Sequence, residues 1–384
     1  MKLTTQLANW LETHWVTPAF AGWLLGGLAL FFFGAATNTM AGWLYVMSGV
    51  TFALLGTAAI LPRQSLLPLK VHRYPIQPVS QGDQLTVQVE IENSGNLPKT
   101  LLQVQDVLPV LLGKPVRTVI ETIEPQDVYR WTYYYPTRRR GVYRWSEVQL
   151  RTAAPLGLFW CRRPREAHAT AVVYPMVLPL TQCPLVDQLG AEYSPQFHES
   201  RHLQMSTEGI TRTLRPYRHG DSTRLIHWRT SARFGELRVR ELEVSTGGQD
   251  VIIALDSSQK WKADFFEEAV TAAASLYFYA SRSQLNVHLW TAARGLVHGN
   301  RVVLEVLAEV MDQENSRGQI LPNQPMIWLT QNSDSLNELK SGSRWVLWLT
   351  EAGESAGDNS RGNGLLIYRD QPLGIQLQAP LGHH

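Results

Sequence analysis

The sequence predicts a membrane-anchored α/β protein: a two-helix transmembrane hairpin, an immunoglobulin-like β-sandwich, and a parallel-sheet α/β domain. Three observations carry this. Two long uncharged apolar runs fill the first 66 residues, apolar side chains alternate with period two from about Val71 to Leu180, and apolar strands alternate with helical patterns after Gly248. The 384 residues suffice for two or three domains. Net charge is +2 and charged residues make up 18%, below the roughly 25% of a typical soluble protein. A disordered chain, a coiled coil and a collagen-like repeat are thereby excluded. Two cysteines, Cys161 and Cys183, make neither a disulfide framework nor a four-thiolate zinc site.

The hairpin is read from charge and length. Between Glu12 and Arg63 the ionisable side chains are His14 and Tyr45 alone. The runs Thr17–Ala36 and Ala41–Leu61 each reach the length of about 20 apolar residues that crosses a bilayer. Thr37-Asn38-Thr39 between them predicts the turn, and Trp10, Trp15, Trp23 and Trp43 stand near the ends, where indoles favour the interface. A cleaved signal peptide fits less well, because only Lys2 precedes the first run and a second full-length run follows. Arg63, Lys70 and Arg73 follow the second run while the turn carries no charge, which places both termini in the cytoplasm and the rest of the chain with them.

The sandwich follows from "QLTVQVEIEN", in which Leu85, Val87, Val89 and Ile91 share a face, and from "RTVIETIE", "DVYRWTYYYP" and "GVYRWSEVQLRT". Asn-Ser-Gly, Glu-Pro-Gln-Asp and Arg-Arg-Gly turns bound them. Residues 1–66 are thus the hairpin, 71–180 the sandwich, 181–213 a linker with one short helix, and 214–384 a distinctive arginine-rich segment followed by the α/β domain. In that domain "VIIALDSS", "NVHLWTA", "MIWLTQN", "RWVLWLT" and "GLLIYR" read as strands, with "DFFEEAVTAAASLYFYASRS" and "RVVLEVLAEVMDQ" as helices. The alternation implies a parallel sheet covered on both faces, with its site at the carboxyl ends of the strands. Asp256 stands at the first of these ends.

Charge is uneven along the chain. Residues 117–240 carry 19 Arg, no Lys and 11 acids, whereas residues 241–384 carry 10 bases and 17 acids. The opposite signs suit mutual neutralisation, or an arginine-rich face meeting an acidic partner or anionic lipid. A tethered, nearly neutral chain argues against nucleic acid.

The densest stretch is "LRPYRHGDSTRLIHWRTSARFGELRVRELE", residues 214–243. Asp221 is a good N-cap, Leu225, Ile226 and Trp228 fit the buried side of a helix, and Gly235 stops it. Its arginines either pair with Asp221, Glu236, Glu241 and Glu243 or face an anion. Arg215, Tyr217, Gly220, Asp221, Arg224, Ile226, Trp228, Ser231, Ala232 and Arg233 fall in a fixed pattern, R-x-Y-x-x-G-D-x-x-R-x-I-x-W-x-x-S-A-R. This pattern resembles the signature of the domain-of-unknown-function 58 family. "RRRGVYRW" and "APLGLFW" resemble two further family elements, with Ala154 and Leu156 in place of the usual Asp and Phe. The resemblance implies a membrane protein with a von Willebrand factor A-like carboxyl part, working beside a MoxR-type AAA+ ATPase. It supplies no catalytic residues.

A von Willebrand-like domain normally holds a divalent cation through Asp-x-Ser-x-Ser, plus a later Thr and Asp. Asp256 and Ser258 match the first two positions, but Lys260 stands at the third, where its ammonium can take the metal's place beside Asp256. After "WLT" the chain offers Gln331 or Glu351. The expectation is a metal-free domain without cofactor; the alternative is a degenerate magnesium or manganese site at Asp256 and Ser258. His198, Glu199 and His202 fit H-E-x-x-H, a zinc-protease pattern, but Ser200 and Arg201 replace its usual apolar positions and no third ligand stands out. Arg162 and Arg163 could activate the Cys161 thiol, although no partner base is evident. Nucleophile elbow, phosphate loop and dinucleotide fingerprint are missing. The expected function is therefore non-enzymatic, a scaffold for cytoplasmic partner proteins.

Overall fold

Two helices open the chain: α1 (Phe20–Thr39) and α2 (Gly42–Leu66), each long and apolar enough to cross a bilayer. The structure is a computed structural model that describes residues 10–192, 211–216, 227–242, 250–316, 321–349 and 364–381. The chain divides into two units, Met1–Tyr174 and Pro175–His384. Small side chains let the two helices approach: Ala29, Ala36, Ser48 and Ala58 are buried, and the Ser48 hydroxyl donates to the Ala29 carbonyl at 3.0 Å. The bulky residues Trp23, Phe31, Trp43 and Val50 face outward. The turn falls at Met40 rather than at Thr37-Asn38-Thr39. The Thr37 and Thr39 hydroxyls bond back to the Gly34 and Ala35 carbonyls (2.7 and 2.8 Å), so both remain helical, and Met40 takes the left-handed conformation (φ 50°).

The rest of the first unit is β-structure: β1 (Thr17–Pro18), β2 (Leu69–Arg73), β3 (Val79–Ser80), β4 (Gln84–Asn93), β5 (Lys99–Asp106), β6 (Val116–Ile123), β7 (Val128–Pro136), β8 (Gly141–Thr152) and β9 (Phe159–Tyr174). One sheet runs β1-β9-β8-β5-β6, with β3 on β9; the other runs β2-β4-β7. Alternation places Leu85, Val87, Val89 and Ile91 of β4 inside, in one core with Leu102, Val104, Val148 and Leu150 of the other sheet. Tyr133 points in and Tyr134 out, as strand period requires. A polar group sits in this core. Arg73 and Asp106 pair at 2.7 Å with no side-chain exposure, while Tyr133 Oη and Trp145 Nε1 donate to the same carboxylate at 2.7 and 3.0 Å.

The hairpin leaves and re-enters at one edge of this β-structure. The Ala19 N–H donates to the Leu158 carbonyl at 2.8 Å, and α1 approaches so closely that a β-carbon on Gly22 would lie 2.3 Å from that oxygen. Arg165 donates to the Leu66 and Leu69 carbonyls (2.6 and 3.0 Å), tying down the end of α2.

In the second unit α3 (Pro184–Glu192) contributes Leu185, Val186 and Leu189, with Leu180 and Cys183, to the main core. Residues 181–192, read from sequence as linker, therefore belong to a packed domain. Next come β10 (Thr211–Pro216), α4 (Trp228–Phe234) and β11 (Arg238–Leu242), with β10 and β11 antiparallel. The large sheet comprises β12 (Asp250–Leu255), β13 (Asn286–Thr291), β14 (Gly295–Val297), β15 (Met326–Thr330), β16 (Arg344–Trp348) and β17 (Gly364–Ile367). Its order is β14-β13-β12-β15-β16-β17, parallel except for β14. Order reverses between β12 and β15, the switch point at which open sheets of this kind leave a crevice. The helices α5 (Ala263–Arg282) and α6 (Asn300–Glu309), the short α7 (Leu373–Gln376) and α3 supply or adjoin the core built on Val251, Ile253 and Leu255.

Among the described residues, the other face is covered more thinly than the alternating pattern suggests. There Ile252, Ala254, Trp290, Trp328 and Trp345 form a second core, with Leu336 and Leu339 at a short 3₁₀ helix (Ser333–Glu338) against it. The connection from β15 to β16 carries this single turn in place of a long helix, and wide indoles fill the space.

Candidate functional site

The carboxyl ends of β12 and β15 bring Asp256 and Thr330 together at the switch point. Asp256 is 2% exposed. The Thr330 hydroxyl donates to its Oδ2 at 2.9 Å and the Ser258 hydroxyl to its Oδ1 at 3.0 Å. Burial pushes this carboxyl above its ordinary range, and the two hydroxyls and nearby backbone amides pull the other way. Trp261 Nε1 donates to the Asp256 carbonyl at 2.6 Å, pinning the loop from below. A second carboxylate closes the rim: Ser257 Oγ donates to Glu314 at 2.8 Å and accepts from the Ala292 N–H at 3.0 Å, while the Glu314 N–H reaches the Ser257 carbonyl at 2.8 Å.

The Asp256 carboxylate is held by hydroxyls, and the expected ammonium partner, Lys260, is exposed. Gln331 is already in use: its Oε1 accepts from the Lys262 N–H at 2.9 Å, serving the start of α5, where Lys262 has no side-chain cap of its own. Glu351 lies outside the described residues. Among the described residues no group of three or more His, Cys, Asp or Glu is placed to hold a metal. Thr291, at the end of β13, buries a hydroxyl with no partner among the described residues. Neither Thr330 nor Glu314 stood out in the sequence. Thr330 becomes Asp256's neighbour only through strand order, and Glu314 arrives from a turn that no motif marks.

The arginine-rich segment is described in part. Tyr217, Gly220, Asp221, Arg224, Leu225 and Ile226 lie outside the described residues, as do His198, Glu199 and His202; Arg215 is placed on β10 opposite Val239. Helix α4 begins at Trp228, and its N-cap is His227, whose ring accepts from the Thr230 N–H at 3.2 Å. Asp221 is therefore not the cap of this helix. Gly235 ends it in the left-handed conformation (φ 72°), returning its N–H to the Ser231 carbonyl at 2.9 Å.

With the helix starting there, Ser231 turns inward, accepting from the Arg238 N–H at 2.9 Å, and the His227 N–H reaches the Arg238 carbonyl at 2.8 Å. Trp228 faces out, 65% exposed, beside exposed Arg229 and Arg233, which corrects the buried position expected for it. Glu236 pairs with Arg238 at 2.6 Å. Cys161 is buried, its Sγ 3.7 Å from the Trp15 carbonyl, and burial pushes its thiol up; the Cys183 thiol is pushed up to about 11 by the same cause. Neither is an activated thiolate.

Comparisons with known proteins agree with the signature segment. The uncharacterized protein YeaD of Bacillus subtilis (strain 168) is 26% identical over 210 residues, covering 51% of this chain and 48% of the relative, so the match spans about half of that protein. Among solved structures, the CARDB domain of a Pyrococcus furiosus protein aligns at 14% identity and a TM-score of 0.21, covering 28% of this chain and 94% of that domain. A β-glucosidase from Listeria innocua in complex with glucose aligns at 15% identity and a TM-score of 0.16, covering 25% of this chain and 16% of the enzyme. Likenesses this low carry no argument. Residues 213–335 match the family described as protein of unknown function DUF58, a span that contains α4, its tie to β11 and the Asp256 rim.

Proposed function

We propose that this chain is a non-enzymatic, membrane-anchored scaffold that holds a cytoplasmic protein, in the first place a MoxR-type AAA+ ATPase. The observation that carries the reading is Trp228, solvent-facing on α4 beside the exposed Arg229 and Arg233. Trp and Arg dominate binding energy at protein interfaces, and an indole left in water gains by being covered. In this reading α1 and α2 cross the membrane and both termini are cytoplasmic, supported by Arg63 near the end of α2, by Lys70 on β2 just after it, and by the uncharged turn at Met40. The first unit is an immunoglobulin-like sandwich, supported by its two sheets on one core. The second is von Willebrand factor A-like, supported by its strand order and by Asp256 at the switch point. The ATPase partner rests on family resemblance alone.

The cation alternative has one observation in its favour: Asp256, Ser258 and Thr330 converge while the Thr291 hydroxyl nearby lacks a partner among the described residues. The donor set fits poorly, because one carboxylate already receiving two hydroxyl protons is a weak cage for magnesium or manganese. No step is assigned to a metal.

Crosslinking in membranes followed by purification of the tagged full chain tests the scaffold. Wild type is expected to recover an AAA+ ATPase from ATP-loaded membranes, and Trp228→Ala to reduce that recovery about tenfold or more. The thermal midpoint should not change. Recovery of no ATPase rejects the partner; equal recovery with Trp228→Ala rejects the surface.

A further inference from the structure

The edge of the first unit where the hairpin leaves and returns gathers two kinds of side chain that a water-facing edge seldom combines. The first kind is cationic. Arg151 and Arg162 are directly opposite across β8 and β9, an unfavourable like-charge pair, and Glu12 is drawn between them, accepting from Arg151 and lying 3.3 Å from Arg162. The Arg151 guanidinium also stacks on the Trp160 ring, 4.1 Å from its centroid. Arg163 donates to the carbonyls of Thr13 and Trp15, and Arg165 to those of Leu66 and Leu69. Arg63 stands exposed near the end of α2. One buried carboxylate thus faces several guanidinium groups. Glu124 and Asp127, exposed at the β6–β7 turn, lie at this same end of the strands, where the Asn93 N–H donates to the Asp127 carbonyl at 3.0 Å and Asn93 is opposite Leu69, but two strands from β8 in the order β9-β8-β5-β6.

The second kind is apolar. Trp10 and Trp15 are exposed just before α1, Leu67 just after α2, and Leu156 at the turn between β8 and β9. Strand register brings Leu101 to the same edge, since Leu102 is opposite Thr152 and Thr152 opposite Cys161. Leu101 too is exposed. If α1 and α2 span a bilayer, this edge lies at its surface. Indoles and leucines then enter the interfacial layer and the arginines meet the phosphate plane.

We infer that this edge is a binding surface for anionic phospholipid, with Arg63 and Arg162 meeting headgroup phosphates while Trp15, Leu101 and Leu156 seat it in the interfacial layer. The inference rests on the membrane-spanning reading of the hairpin, and the two can fail separately. The full chain is reconstituted in phosphatidylcholine vesicles containing a trace of spin-labelled phosphatidylglycerol or spin-labelled phosphatidylcholine, and the motionally restricted fraction of each label is measured. Wild type is expected to restrict phosphatidylglycerol in preference, with the preference falling as salt rises. Arg63→Gln and Arg162→Gln, singly and together, are expected to lower the preference by up to about fivefold for each arginine. Restricted phosphatidylcholine should stay constant, since it reports the inserted hairpin. Arg63→Lys should retain the preference. Equal restriction of the two lipids by wild type, or a preference untouched in the double variant, overturns the inference while leaving the hairpin in the membrane. Restriction of neither lipid, with the chain released by alkaline carbonate, overturns the membrane reading itself.

Discussion

Asp106 accepts from Arg73, Tyr133 and Trp145 in the core of the first unit, and neither side chain of the Arg73–Asp106 pair reaches water. Replacing the carboxylate strands a guanidinium in an apolar interior. Asp106→Ala is therefore expected to cost about 3–5 kcal/mol, read as a fall in the denaturant midpoint of the full chain in detergent. A change below about 1 kcal/mol would mean that water already reaches Arg73. Period-two alternation marks Tyr133 and Trp145 as inward-facing, but nothing local marks Asp106 and Arg73 as partners.

At the rim of the second unit Asp256 makes a pH-dependent contribution. Its native carboxyl holds a proton more tightly than the unfolded chain does, because burial disfavours the charge. The stability associated with that proton is present at acidic pH and is lost as pH rises through the native pKa. Asp256→Asn cannot titrate. The thermal midpoint of wild type relative to Asp256→Asn is expected to rise as pH is lowered from about 7 toward about 4. A constant difference across that range would show the carboxyl to be unperturbed.

At the scale of elements, close approach and helix register decide what is presented. Gly22 lies where α1 crosses the turn after β8, and a β-carbon there would meet the Leu158 carbonyl, whereas one on Gly26 would meet nothing within 4 Å. Gly22→Val is expected to loosen the hairpin from the β-structure and to destabilise the first unit by about 1–3 kcal/mol in detergent. Gly26→Val, facing open space, should leave the unfolding midpoint unchanged. The sequence marks the existence of both helices, through length and lack of charge, more reliably than the turn between them. The Thr-Asn-Thr break looks like a loop, yet both threonine hydroxyls can satisfy themselves on their own helix.

A comparable shift exposes Trp228. Asp221 and Gly235 suggest a helix that buries the indole, but α4 starts at Trp228 itself and turns Ser231 inward instead. The small hydroxyl that ties α4 to β11 lies within the signature pattern, and the pattern alone does not reveal its role.

For the whole molecule, local periodicity was enough to determine the apolar hairpin, the β-rich first unit, the α/β alternation of the second and Asp256 at a strand end. These features depend on residues a few positions apart, and the chain carries that information directly. Only the tertiary structure decided that Thr330 and Ser258 satisfy Asp256, that the second face of the large sheet is filled by tryptophans under a short turn, and that Glu12 lies between Arg151 and Arg162. Each of these depends on which strands become neighbours and in what register, and such long-range pairings leave no periodic trace along the chain.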